Sequence, residues 1–414
     1  MKKFLSFILI LCLLIPCAAS AQADSEEFVR GVWVSSVANL DYPSSAGLSD
    51  DQLRAEADKI IANCVEMGMN TIFFQVRPCS DALYNSSIFP KSVFLTGESS
   101  FEELTFDPLS HMVEKAHENG IGLHAWLNPY RVTRLSGKEL EKFSPDSPQR
   151  LHPEYLLQSA NGNYFFNPAL PEVRDLITAG IVEILENYDV DGIHFDDYFY
   201  PESSFDDSEL FAASGYSDID EWRTENVNAL VKQVSETVHS YGVPFGISPR
   251  GIWANNYNDP RGSATRGGGS LTDIYCDSLR FIEEGWVDYI CPQIYWNIGN
   301  SIADYSILVP WWADAVSAAD VKLYIGMADY RVAESGPGSV WTPAELGRQL
   351  ELNKSYPEVS GEVHFRYGSL ADNSGLFDLY KENYAAPAES SVADIGPQLR
   401  VNLLRILIGL IFTR

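Results

Sequence analysis

Between residues 28 and 384 the chain repeats one rhythm eight times: a short run of β-branched and aromatic residues, then a longer amphipathic helical stretch. The β-type runs lie at 30–35, 70–77, 122–128, 192–198, 245–249, 288–295, 322–327 and 362–365. The helical patterns lie near 49–67, 107–119, 171–187, 221–241, 270–284, 303–319, 343–354 and 376–384. Eight strand–helix units joined by right-handed crossovers close into an α/β fold of the (β/α)8 TIM-barrel type, a single domain over 28–384. Local signals agree. Ser49 before Asp50-Asp51, Asp107 before Pro108, and Thr342 before Pro343-Ala-Glu345 are helix starts, and Gly68, Gly120 and Gly242 stand where helices stop. A doubly wound open sheet would instead carry a glycine-rich phosphate turn after its first strand, which Val34-Ser-Ser-Val-Ala-Asn39 lacks. Gly267-Gly-Gly269 precedes a helix and reads as a loop.

The two ends fall outside this rhythm. Lys2-Lys3, the apolar run from Phe4 to Pro16 and Ala19-Ser-Ala21 form a secretory signal peptide over 1–21, so the mature protein is expected outside the cell or in its envelope. Pro16 before Cys17 does not fit a lipid-attachment motif. Residues 385–414 read as a Pro/Ala/Ser linker and a short apolar tail interrupted by Arg405. A span needs about 20 apolar residues, so a weak membrane contact, not a crossing, is expected of the tail. Past the signal peptide, Cys64, Cys79, Cys276 and Cys291 lack the spacing of a disulfide-rich or zinc module and read as buried free thiols. Acidic residues outnumber basic ones 57 to 29, for a formal net charge of −28. Phosphate backbones would repel such a chain, so no nucleic-acid partner is expected.

In a (β/α)8 barrel the loops after the strands build the active face, and chemistry-bearing residues gather there. Trp33, Trp126, Trp253 and Trp296, with Tyr130, Tyr198, Tyr295 and Tyr330, fall at or just past strand ends. Flat aromatic faces suit sugar rings, although some of these would simply plug the barrel top. The sharpest local motif is Asp191-Gly-Ile-His-Phe-Asp-Asp-Tyr198. Strand alternation puts His194, Asp196 and Tyr198 on one face and Ile193, Phe195 and Asp197 on the other. With the apolar face under the helices, His194 and Asp196 would point into the barrel mouth. Adjacent carboxylates on a β-run are costly to bury unless paired or functional. A rim arginine would be the structural partner of Asp196, and a cap or loop anchor the structural role of Asp197.

Arg77, Arg131, Arg250, Arg331 and Arg366 each lie at a strand's C-terminal end. Internal pairing accounts for most of them and leaves one or two for a carboxylate-bearing sugar. Gln75, His124, Asn128 and Gln293 add hydrogen-bonding groups, as core polar residues or as ligand contacts. The seven histidines have no close acidic or cysteine grouping, so no metal is expected. There is no Gly-x-Ser-x-Gly elbow, Ser248 lacks an obvious His/Asp pair, and no cofactor motif appears. Carboxylate chemistry on a sugar remains. Asp196 is then the central carboxylate, as nucleophile or base, with Asp329 at the seventh strand's end or else Asp197 as its acid partner. Asp81 and Glu98 are weaker loop candidates.

Longer motifs carry a resemblance. Arg30-Gly-Val-Trp-Val34, Phe73-Phe-Gln-Val-Arg-Pro78 with Asp81-Ala-Leu-Tyr84, and His124-Ala-Trp-Leu-Asn-Pro-Tyr-Arg131 are distinctive. So are Gly192-Ile-His-Phe-Asp-Asp-Tyr198, Gly246-Ile-Ser-Pro-Arg-Gly-Ile-Trp253 and Asp288-Tyr-Ile-Cys-Pro-Gln-Ile-Tyr-Trp296. From about Phe28 to Tyr384 the chain resembles the bacterial glycosyl hydrolase-like family ten. The resemblance implies a (β/α)8 barrel and an exported hydrolase of glycan strands, with envelope members acting on peptidoglycan stripped of its stem peptides. The lactyl carboxylates of such strands would suit the rim arginines. The fourth-strand motif is also similar to more distant sugar hydrolases. In the α-amylase type an Asp matching Asp196 is the nucleophile, with an Arg where His194 stands. In the chitinase type an acid stands where this chain has Tyr198, a departure that argues against the chitinase mechanism and leaves the proton donor unassigned. The rival readings are a glycan-binding barrel without turnover, a hydrolase of another anionic polysaccharide, and a deacetylase, which would need metal ligands.

Overall fold

A computed structural model of the protein describes residues 28–134, 136–201 and 204–384; the segments expected to be a signal peptide (1–21) and a tail (385–414) lie outside the described residues. Eight parallel strands form a closed barrel: β1 (Val29–Val34), β2 (Thr71–Arg77), β3 (Gly122–Leu127), β4 (Gly192–Phe195), β5 (Phe245–Ile247), β6 (Tyr289–Ile290), β7 (Lys322–Met327) and β8 (Val359–His364). Each pairs with its neighbour in the chain, and β8 returns to β1 with Val29 opposite Gly361 and Val32 opposite His364. One outer helix follows each strand: α1 (Asp50–Met67), α2 (Pro108–Glu118), α3 (Pro171–Asn187), α4 (Ile219–Ser240), α5 (Ser278–Glu283), α6 (Tyr305–Val316), α7 (Pro343–Asn353) and α8 (Ser374–Tyr384).

The helix ends follow the expected physics. Ser49 and Gln52 form a capping box on α1, which stops at left-handed Gly68 with φ 74°, and Asp107 and Thr342 cap α2 and α7. The helical pattern at 270–284 is broken in two, because Tyr275 takes a left-handed conformation with φ 59° after Ser270–Ile274. Two strands end early at prolines, which cannot donate to a ladder: β5 before Pro249 and β6 before Pro292.

Two apolar layers result. One lies between strands and helices and takes the outward residues of every strand, such as Ile193 and Phe195 of β4. The other fills the barrel interior with Trp33, Phe73, Trp126, Tyr289, Cys291 and Val363. Two glycines make room for those rings. A Cβ at Gly246 would stand 2.2 Å from the Tyr289 ring, and one at Gly192 would stand 2.3 Å from the His124 ring. All four described cysteines are free and buried. No helix among the described residues is long and apolar enough to cross a membrane.

Among the elements outside the eight-unit pattern, one shapes the site. The connection from β3 to α3 carries a hairpin, Leu156–Gln158 paired antiparallel with Tyr164–Phe166, and Arg131 bridges to Phe165 at its edge. Asn161-Gly162-Asn163 forms its turn, with Gly162 at φ 86°.

Candidate active site

A cleft of about 610 Å³ opens at the C-terminal end of the barrel. Trp33 and Trp126 line its floor, Tyr295, Tyr330 and Phe365 one wall, and Arg131, Thr133, Arg134 and the hairpin's Asn161, Asn163 and Phe165 another. Asp196 and Asp197 are its carboxylates among the described residues.

The Asp pair owes its geometry to the end of β4. The strand stops at Phe195, and the backbone N–H of Tyr198 folds back to donate to Asp196 Oδ1 at 3.2 Å. Strand alternation therefore lapses, and Asp197 lines the cleft beside Asp196 instead of facing the helices. Asp196 is 3% exposed and leans toward β3. Trp126 Nε1 donates to its Oδ2 at 3.1 Å, and Asn128 Nδ2 stands 3.1 Å from both oxygens. All of these contacts bring N–H donors to the carboxyl oxygens, so they favour its ionised form and work against burial. Burial pushes Asp196 from 3.8 up to about 7; the Asp197 charge adds to the rise, while Arg131 and the Trp126 and Tyr198 donors oppose it. Asp197 leans the other way. Gln293 Nε2 donates to its Oδ1 at 3.0 Å, and Arg250 Nε lies 3.9 Å from its Oδ2.

Beneath the pair lies a chain of neutral rings. The Trp33 indole N–H can only donate, so His194 Nε2, 3.1 Å away, must accept. The proton then sits on Nδ1, 3.1 Å from Tyr289 Oη, which reaches His124 Nδ1 at 2.9 Å. Burial holds His194 well below its ordinary value and His124 at about 4, so both stay uncharged. Ser248 Oγ lies 3.0 Å from the same His194 Nε2, a serine–histidine contact that sequence spacing did not reveal. A phenol, not a carboxylate, orients that ring, and its accepting nitrogen is shared with Trp33. The group braces the cleft floor.

Several residues singled out in the sequence stand elsewhere. Asp329 does not line the cleft; it is fully buried behind β8, bonded to His364 Nδ1 at 3.1 Å and to the Tyr380 hydroxyl of α8. That corrects its expected role as partner acid, since its oxygens are committed to tying α8 to the barrel. Asp81 is also buried off the cleft, pushed up to about 6 by burial, and Glu98 does not line it. Of the five strand-end arginines, only Arg131 lines the cleft, its guanidinium 4.0 Å from the Tyr198 ring centroid. Arg77 lies fully buried over Phe89 at 3.7 Å, Arg366 pairs with Asp41, Arg250 with Asp197 and Asp273, and Arg331 packs near Tyr330 and Trp341. Trp253 is buried with its Nε1 donating to Asp277, Trp296 packs on the outer layer, and Tyr130 is buried against Phe199. Gln75 lines the cleft but spends its Oε1 on Ser36 and Val37 N–H, holding the β1 loop. His124, His194 and Asn128 support the cleft from below. Thr133, Arg134, Asn161, Asn163, Phe165 and Phe365 are wall residues that sequence reading missed; for the three on the hairpin, the Asn-Gly turn at 161–162 was the available signal.

No group of three or more His, Cys, Asp or Glu among the described residues could hold a metal ion. What faces the cleft is a carboxyl pair within aromatic surfaces, at the strand ends of a parallel barrel, and the molecule is of the glycosidase class. Residues 28–341 match the family model described as Glycosyl hydrolase-like 10, and the chain belongs to that family. It is 40% identical to Glycosyl hydrolase YngK of Bacillus subtilis (strain 168) over 386 residues, 90% of this chain and 75% of that protein. It is 38% identical to Glycosyl hydrolase DigH of Escherichia coli (strain K12) over 376 residues, 84% of each. Its fold is similar to the PgaB (BpsB) glycoside hydrolase domain from Bordetella bronchiseptica, with TM-score 0.56, 14% identity, and coverage of 86% of this chain and 98% of that one.

Proposed function

We propose that the protein is exported and hydrolyses O-glycosidic bonds in peptidoglycan strands that lack stem peptides, with Asp196 as its proton-handling carboxyl. The observation that carries the chemistry is the Asp196 environment: 3% exposed in the cleft beside Asp197, with burial pushing it to about 7 against the Trp126 and Tyr198 donors. A group protonated near neutrality can give its proton to a leaving glycosidic oxygen and then accept one from water. Arg131 and Arg134 support the substrate. Arg134 is half-buried and in no ion pair among the described residues, and the lactyl groups of peptide-free strands offer carboxylates to both. The basic, apolar and small-residue segments of 1–21 support export.

The test is mass-spectrometric product analysis after incubating the protein and its Asp196→Asn variant with peptide-free strands. Shorter oligosaccharides from the wild type alone are the expected result, and the new reducing end identifies the bond cut. Equal cleavage by the variant would remove Asp196 from the reaction. Intact strands with both proteins would refute the substrate.

A further inference from the structure

Hydrolysis with retained configuration needs a nucleophile on the side of the anomeric carbon away from the leaving oxygen, and in most glycosidases a second carboxylate across the cleft provides it. Here Asp196 and Asp197 leave consecutive positions of one strand end. Among the described residues no third carboxylate lines the cleft, and Tyr295, Tyr330 and Phe365 form an aromatic wall above the Trp33 floor. Such a wall can enclose a small apolar group but cannot attack a sugar. N-acetylmuramyl and N-acetylglucosaminyl residues both carry a 2-acetamido group, whose methyl fits an aromatic enclosure and whose carbonyl oxygen reaches its own C1.

Resting on the reading of the substrate as an N-acetylated glycan strand, we propose that the nucleophile is the substrate's own 2-acetamido oxygen, with Asp196 and Asp197 dividing proton transfer and charge stabilisation between them. In the first step the acetamido oxygen forms a bond to C1, the C1–O glycosidic bond breaks, and the Asp196 proton passes to the leaving oxygen. The product is an oxazolinium ring, whose positive N–H faces the Asp197 carboxylate. In the second step water attacks C1, the ring C1–O bond breaks to restore the acetamide, and Asp196 recovers its proton from that water. The division of roles follows from the two environments. Asp197 accepts from Gln293 Nε2 at 3.0 Å and has the Arg250 guanidinium 3.9 Å away, while Asp196 is 3% exposed and meets only uncharged donors at 3.1–3.2 Å. In the chitinase type an acid stands two residues beyond the position of Asp196. This chain has Tyr198 there, and the lapse of alternation after Phe195 brings adjacent Asp197 into the cleft instead.

The experiment compares peptide-free strands, the same strands chemically de-N-acetylated, and those strands re-N-acetylated, with the initial anomer read by proton NMR. The expected results are retention, an at least 100-fold lower kcat/KM on de-N-acetylated strands, and recovery on re-N-acetylation. Asp197→Asn should lose turnover at least 100-fold with its Tm within a few degrees of wild type. Glu202→Gln, which tests the neighbouring acid outside the described residues, should keep it. Inversion, undiminished cleavage of de-N-acetylated strands, or loss in Glu202→Gln would overturn the mechanism and leave the substrate standing. If peptide-free strands are not cut, the same series is run on chitin oligosaccharides. Retaining, N-acetyl-dependent cleavage there would overturn the substrate and uphold the mechanism; turnover confined to 2-hydroxy glycans would overturn both.

Discussion

Replacing Asp196 by Asn isolates one ionisation and its energetic cost. In the native protein the carboxyl holds its proton up to about 7, against an ordinary 3.8. The unfolded chain therefore loses that proton first, and stability falls as pH rises through the interval. Asp196's contribution is fully present below the ordinary value and lost by about 7. At about 1.36 kcal/mol per pH unit, the full span amounts to roughly 4 kcal/mol, of which roughly 2–3 kcal/mol is lost between pH 5 and 7. Asn does not titrate. It leaves one of the Trp126, Asn128 and Tyr198 donors badly matched, a penalty that is the same at every pH. Other buried carboxyls, Asp81 and Glu362 among them, titrate alike in both proteins and cancel in the difference. The stability of Asp196→Asn relative to wild type should thus improve by roughly 2–3 kcal/mol from pH 5 to 7 and level off above. Urea unfolding followed by tryptophan fluorescence measures it. A difference that stays flat across that range would mean Asp196 ionises at its ordinary value, and would refute the argument that it carries the catalytic proton.

Trp126→Phe removes a donor that favours ionised Asp196. With Asp196 in its proposed role of acid, the pH–rate profile should fall as pH rises through about 7, and in the variant this alkaline limb should move up by about one pH unit. Asp329→Asn disturbs the buried contacts with His364 and Tyr380. It should cost about 1–3 kcal/mol of stability by chemical denaturation while leaving kcat/KM within about twofold of wild type. Arg134→Gln should raise KM for lactyl-bearing strands about fivefold and leave KM for uncharged chitin oligosaccharides unaltered, read from initial rates on the two substrates.

The barrel was legible because its signals are local and repeated eight times, and Ile193 and Phe195 landed in the strand–helix layer as alternation requires. Boundaries slipped where prolines or a turn intervened, at β4, β5 and β6. The site was harder to read, because a side chain at a strand end takes its direction from the turn that follows. Asp197 reached the cleft through such a turn. Asp329, equally acidic and equally placed at a strand end, turned back to the Tyr380 hydroxyl of a helix formed some fifty residues later. The arginines followed the same logic. In an acidic chain most find a nearby carboxylate or ring, as Arg366 does with Asp41, and position along the sequence cannot say which remains for a ligand.

The closure of the barrel has a temporal consequence. β1 is hydrogen-bonded on one side to β8, and these strands lie at opposite ends of the described chain, separated by roughly 300 residues. At about 5–20 residues per second, the ribosome needs roughly 15–60 s to deliver the partner of the first strand. Throughout that interval one edge of the growing sheet has no mate, and exposed edges of this kind are prone to pair with other chains. A chain ending at residue 341, where the family match stops, would keep that edge permanently and would be expected to aggregate. With β8 present, that edge stays open only until the last strand arrives, and closure then removes it.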